Sequence, residues 1–198
     1  MKEFWNDRFN SDDYIYGKEP NRYFASFINK ANYTGHALFP AEGEGRNAVF
    51  AAEKGWKVTA FDQSEVARDK ALKLAEERNA GINYQLSDAL EFETEEKFNL
   101  IVIIFLHLQP DPRKIFHKNI IKHLKKDGCL LMEVFSKKQI NHDTGGPKNP
   151  EMLYTTEMLE SDFNELKIIR NEALTVHLKE GDYHSGEAEV IRFAASKI

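Results

Sequence analysis

Gly43-Glu44-Gly45 interrupts the chain between a short apolar run, Ala37 to Pro40, and an amphipathic segment that begins at Arg46. An aspartate, Asp62, follows Gly45 by seventeen positions, at the end of a second apolar run, Lys57 to Phe61. Two glycines in a strand-to-helix turn let a backbone approach a ligand closely. An acid at that distance, at the tip of the next strand, can accept hydrogen bonds from both hydroxyls of a ribose. The pattern is that of a nucleotide-binding corner. With Ala48 it also fits G-x-G-x-x-A, which alone is compatible with a tight turn that binds nothing.

The flanking charges choose among nucleotides. A dinucleotide would set an anionic pyrophosphate against Glu42 and Glu44, whereas S-adenosylmethionine has no phosphate and carries two cations, a sulfonium and an ammonium. An acidic turn suits the second ligand, with the helix N-terminus or Arg46 left to meet its carboxylate. Glu42 is the better candidate for the cation; Glu44 reads as a solvated residue at a helix start.

The remaining elements must hold this corner in place. Short apolar runs alternate with amphipathic ones throughout, which is the rhythm of βαβ units. After Phe4, Trp5 and Phe9, Pro20 opens a helix with Tyr23, Phe24, Phe27 and Ile28 on one face. Ser64 caps a helix running to about Asn79, a third strand spans Ile82 to Leu86, and a fourth, Leu100 to Leu106, is apolar throughout, as in a strand covered on both faces. Asp111-Pro112 starts a helix to Lys126, ended by Gly128, and Cys129 to Phe135 forms a fifth strand. The loop from Ser136 to Tyr154 reads as a binding loop, and Thr155 or Thr156 caps a last helix. Leu166 to Leu178 and Glu187 to Ala195 pair as an antiparallel hairpin. The expected fold is α/β: a Rossmann-like three-layer sandwich with a seven-stranded, mostly parallel sheet, in one domain over 1–198 with a helical cap over 1–35.

Composition narrows the functions. The 198 residues carry 27 Lys+Arg against 32 Asp+Glu, a net charge of -5, so no positive field draws the chain to nucleic acid or anionic lipid. No apolar run is long enough to span a membrane, and the N-terminal residues do not form a signal peptide. Cys129, the one cysteine, excludes an internal disulfide, and no cluster has metal-ligand spacing. A cytoplasmic protein acting on a small molecule is expected; the oligomeric state is left open. His117 and His123, among lysines, read as solvated.

Glu42 to Asn47 after a strand, Asp62, Ser87-Asp88 after the third strand and Phe105-Leu106-His107 after the fourth resemble motifs one to four of class I methyltransferases. Phe4-Trp5 through Tyr16-Gly17, the glycine turn, Gly145-Gly146-Pro147 and Tyr183-His184 resemble more narrowly the branch that includes the bacterial tellurite-resistance methyltransferases. The resemblance implies S-adenosylmethionine held by Tyr16, Gly17, Ala41, Glu42, Gly43, Gly45, Arg46, Asn47, Asp62, Gln63, Ser64, Ser87, Asp88, Ala89, Phe105 and Leu106. Within that set, Asp62 takes the ribose and Asp88 the adenine amino group. Phe39 and Ala41 stand where many members have an aspartate and a third glycine. His107 is the candidate catalytic residue, as a base for or orienter of the acceptor, against a bland alternative in which it bonds local backbone. Thiols or chalcogen oxyanions are implied as acceptors by the family likeness alone. An NAD(P)-dependent oxidoreductase and a non-catalytic cofactor sensor are the alternative functions.

Overall fold

The computed structural model describes residues 2–198. Seven strands form one sheet in the order β3-β2-β1-β4-β5-β7-β6. They are β1 His36–Pro40, β2 Lys57–Asp62, β3 Asn83–Leu86, β4 Phe98–Ile104, β5 Leu124–Phe135, β6 Leu166–Glu180 and β7 His184–Lys197. β1, β2 and β3 pair in parallel, as do β4 and β5, and β7 runs antiparallel to β5. This is the Rossmann-like α/β class expected from the alternating runs, with antiparallel strands at the C-terminal end. No helix among the described residues is long and apolar enough to cross a membrane.

The chain clusters into two compact units. One runs through Glu93 and includes Glu180–Asp182; the other comprises Thr94–Lys179 and Tyr183–Ile198. In the first unit the helices are α1 Lys2–Phe9, α2 Arg22–Lys30, α3 Arg46–Glu53 and α4 Glu65–Glu77. Asn21 and Ser64 cap α2 and α4, their side chains accepting from the N–H groups of Phe24 and Ala67. α2 buries Tyr23, Phe24 and Ile28 of the expected face, with Phe27 only partly buried, and the Phe24 ring meets buried Phe39 edge-on at 5.5 Å. The parallel register sets Pro40 beside Phe61, so the chain leaves β1 and β2 at one level and the glycine turn comes to lie next to Asp62.

In the second unit α5 spans Pro110–Ile120 and α6 Thr156–Asp162, the latter capped by Thr155. Three expectations fail here. α5 begins two residues earlier than Asp111-Pro112 predicts, with Gln109 at the cap and Pro110 at the first helical position. It also stops well before Lys126, and a 3₁₀ turn at Ile121–His123 leads straight into β5. Burial of Ile120, Ile121 and Leu124 ends the helix, and the polar run Lys125 to Gly128 is an irregular part of the strand, with Asp127 at φ 61. His117 and His123, expected in solvent, are 1% and 8% exposed. His117 is drawn in by Asp162, whose Oδ2 lies 2.8 Å from its Nδ1 and 2.9 Å from Arg113 Nε, a partner 45 residues away that helical spacing cannot reveal.

Candidate cofactor site and a histidine cluster

Within the first unit, Glu42 N donates to the Phe61 carbonyl at 3.1 Å, prolonging the β1–β2 pairing into the turn. Gly43 (φ 65) then donates its N–H to Asp62 Oδ2 at 3.1 Å, and Ser64 N donates to Asp62 Oδ1 at 2.9 Å. Asp62, 7% exposed, is therefore fixed through both oxygens and retains further lone pairs for a ligand. Burial raises its carboxyl above the ordinary range, against the pull of the Ser64, Gly43 and Gln63 amides. Gly45, at φ 87, is the αL residue before α3, and a Cβ there would stand 2.6 Å from Ala71 Cβ. Its glycine is required by α3–α4 packing as well as by backbone conformation. Ala41 sits at φ 49, so the missing family glycine is replaced by a residue held in the left-handed region.

The acids of the turn differ in role. Glu42 Oε1 accepts from Asn47 N at 2.8 Å and Ala48 N at 2.7 Å, capping α3 in place of Gly45, which has no side chain to do so. Burial pushes its carboxyl up to about 7, opposed by those amides and by Arg46. Glu44 is not solvated, contrary to expectation: at 4% exposure it pairs with Lys70 at 2.5 Å and accepts from Tyr16 N at 3.4 Å. Arg46, with the α3 N-terminus one of two candidates for the ligand carboxylate, pairs with Glu180 at 2.7 Å, with both side chains under a tenth exposed. Its other nitrogen donates to the Glu19 carbonyl at 3.3 Å, and Asn21 Nδ2 donates to Glu180 Oε1 at 3.0 Å. Asn47 Oδ1 accepts from Asn21 N at 2.9 Å, and Ser64 Oγ donates to Asn6 Oδ1 at 2.6 Å while capping α4.

Tyr16 and Gly17 lie in the N-terminal segment, Tyr16 held by Glu44 and Gly17 (φ 72) closing a turn onto the Tyr14 carbonyl. Ser87 and Asp88 follow β3, where Ser87 N donates to the Asp62 carbonyl at 3.0 Å. Asp88 Oδ1 accepts from Leu90 N at 2.9 Å, and both Asp88 and Ala89 are partly buried. The sequence reading missed Tyr84, whose hydroxyl donates to the Gly43 carbonyl at 2.6 Å from β3, and it missed Lys70, Asn21 and Glu180. Each acts from 20 or more residues away in sequence, beyond any local pattern.

The donor set tests the fit of a ligand. Arg46 and Lys70, beside the turn, are committed to buried carboxylates, while Asp62 and Glu42 face the turn with raised affinity for protons. Such a corner suits a phosphate-free ligand with ribose hydroxyls and positive charge, and opposes a pyrophosphate.

The second unit carries its own cluster at the carboxyl end of β4. Phe105 has φ 53, a strained conformation for a bulky residue; its N–H donates to the Glu133 carbonyl at 2.8 Å. Its ring stacks on Phe135 at 4.4 Å and meets His184 edge-on at 4.7 Å. The Leu106 carbonyl accepts from the Tyr154 hydroxyl at 3.2 Å. His107 Nδ1 donates to the Met152 carbonyl at 2.9 Å, and Nε2 accepts from Phe135 N at 3.3 Å. Burial lowers its pKa to about 4. Both ring nitrogens are thus committed to backbone in one neutral tautomer, the bland alternative foreseen from sequence, and the ring pins the 136–154 loop to β5. No group of three or more His, Cys, Asp or Glu among the described residues could hold a metal.

Residues 40–128, which include the glycine turn, Asp62 and His107, match the family model described as a methyltransferase domain. Ubiquinone biosynthesis O-methyltransferase of Rickettsia akari (strain Hartford) is 27% identical over 95 residues, 48% of this chain; the match spans 38% of that relative. Solved structures match over the whole chain at low identity. One comes from work on conversion of a disulfide bond into a thioacetal group during echinomycin biosynthesis (TM-score 0.83, 15% identity, 100% of this chain and 91% of that one). TehB from Haemophilus influenzae gives 0.74 at 16%, covering 100% and 67%. The N-methyltransferase NodS from Bradyrhizobium japonicum WM9, in complex with S-adenosyl-L-homocysteine, gives 0.74 at 14%, covering 99% and 97%.

Proposed function

We propose that this protein is an S-adenosylmethionine-dependent methyltransferase acting on a small acceptor. One observation carries the reading: the glycine turn and Asp62 form a buried, acidic corner in which Arg46 and Lys70 are already neutralised by Glu180 and Glu44. The match of residues 40–128 to a methyltransferase domain supports it. S-adenosylmethionine supplies an electrophilic methyl group on a sulfonium. In this reading Asp62 binds the ribose hydroxyls, Glu42 faces the positive end of the cofactor, Asp88 receives the adenine amino group, and Tyr16 and Gly17 exclude water above the turn. Methyl transfer is an in-line displacement that gains chiefly from positioning, so the commitment of His107 to backbone leaves the reaction intact.

Thiols and chalcogen oxyanions form the acceptor class in this proposal, supported by the likeness of the Tyr16-Gly17, glycine-turn and Tyr183-His184 segments to the tellurite-resistance branch, and the cytoplasm is the expected compartment. A second reading, a cofactor-binding sensor without turnover, is favoured by the absence of any proton-accepting atom on His107. The experiment is transfer of a labelled methyl group from S-adenosylmethionine to a panel of thiols, tellurite, selenite and phenols. Label in a thiol or chalcogen product is the expected result. Cofactor binding without transfer to any acceptor would replace the enzyme with the sensor, and absence of cofactor binding would remove both.

A further inference from the structure

Lys70 lies on α4 immediately before Ala71, the residue that supports Gly45. One turn of this helix therefore reads two successive residues of the glycine turn, Ala71 through packing and Lys70 through its pair with Glu44. The Lys70 ammonium, on a side chain 13% exposed, donates to three carbonyls, those of Phe9 (3.3 Å), Ser11 (2.9 Å) and Asp13 (2.6 Å), and stands in ion-pair contact with Glu44 Oε1 (2.5 Å), an oxygen that accepts no hydrogen bond. The carbonyls take up its three N–H bonds.

The three carbonyls belong to the last residue of α1 and to the segment that joins α1 to α2. That segment brings the Phe9 ring to the turn, where a Cβ on Gly43 would stand 3.3 Å away, and returns the Tyr14 hydroxyl to the Lys70 carbonyl at 2.8 Å. A cleft of about 550 Å³ lined by Asn10, Asp12, Val66, Asp69 and Lys73 lies between the segment and the outer side of α4. The segment is thus tied to α4 by the Tyr14 ring, which packs against the cluster that holds Leu74 and Ala75, and by polar bonds, most of which converge on one nitrogen.

We infer that Lys70 is a positioning residue for the cofactor: it ties residues 9–13 to Glu44, holds the N-terminal segment closed over the glycine turn, and sets how fast the cofactor leaves. The inference rests on the cofactor site proposed above. Opening the segment breaks the charge-assisted hydrogen bonds from Lys70 to the three carbonyls and leaves the ammonium with Glu44 alone, so the closed state is favoured. Removing the ammonium deletes that preference.

Trp5 stacks on Phe9 at 5.5 Å and reports the position of the segment by its fluorescence. Stopped-flow dissociation of S-adenosyl-L-homocysteine is measured for the wild type, Lys70→Met, and Lys70→Met with Glu44→Gln, the double variant removing the orphaned charge should the single one unfold. Amide hydrogen exchange of residues 10–17 is followed in the free proteins. The expected result is dissociation at least ten-fold faster, an association rate that is not reduced, and faster exchange confined to this segment. Lys2→Ala, which removes only the exposed ion pair to Glu65, is expected to change neither rate. Folded variants with wild-type dissociation, or with unchanged exchange at residues 10–17, would overturn the inference. If the wild type binds no ligand, the functional reading fails, and the exchange measurement still decides whether Lys70 ties the segment.

Discussion

Replacing Glu42 by glutamine keeps an oxygen for the Asn47 and Ala48 amides but removes the charge. With its carboxyl at about 7, wild-type Glu42 is about one-tenth ionised at pH 6 and about nine-tenths at pH 8. A bound ammonium or sulfonium favours the ionised form and draws the pKa of the complex down. The apparent dissociation constant of S-adenosylmethionine should therefore be about ten-fold weaker at pH 6 than at pH 8, or about 1.4 kcal/mol. Isothermal titration across that range reads the slope, and repeating it in buffers of different ionisation enthalpy reads the proton released on binding. Asp62 also binds protons more readily than usual, so the variant, not the slope alone, assigns the effect. His107, with a pKa of about 4, does not titrate in this window. Glu42→Gln should bind about ten-fold more weakly than wild type at pH 8 and show a flat profile. The same acid has a stability signature: its folded pKa lies above the ordinary 4.5, so the free protein gains stability as pH falls through 7 toward 4.5, and the variant loses that gain. A wild-type affinity independent of pH, or a glutamine variant with the wild-type slope, would refute the placement of Glu42 beside the cationic end of the ligand.

Other perturbations test separate parts of the corner. Arg46→Met leaves Glu180 buried without its cation and should cost about 3 to 5 kcal/mol in urea unfolding, most of it restored when Glu180→Met is added. Gly45→Ala combines a left-handed backbone with contact on Ala71 and should lower stability by about 2 to 4 kcal/mol, read from the urea midpoint at unchanged slope. His107, neutral in the fold, contributes stability that is present above about pH 6.5 and is lost as pH falls toward 4. The destabilisation caused by His107→Gln, measured against wild type, should therefore be smaller at pH 5 than at pH 7, with cofactor affinity unchanged.

What could be read from sequence follows the range of the forces involved. Strand runs, the caps Ser64 and Thr155, and the pairing of a glycine turn with Asp62 are local patterns, and all three stand in the structure. The failures share another cause. Glu44 looks like a solvated residue at a helix start, and Arg46 like a cation free for a ligand carboxylate, because Lys70 and Glu180, which pair with them, lie 26 and 134 residues away. His117 looks solvated among lysines because Asp162 is out of sight, and α5 looks longer than it is because a 3₁₀ turn and an irregular strand start use the same polar residues as a helix end. His107 could be placed at the end of β4 by its position after an apolar run. That its two nitrogens would be taken by Met152 and Phe135 depends on how a nineteen-residue loop returns to β5, which no spacing encodes.

The decisive measurement is a calorimetric titration of the wild-type protein with S-adenosyl-L-homocysteine, alongside NADH. Saturable binding of one S-adenosyl-L-homocysteine per chain with no heat from NADH is the predicted outcome. A protein that takes up NADH, or that gives no heat with S-adenosyl-L-homocysteine at millimolar concentration, would contradict the account.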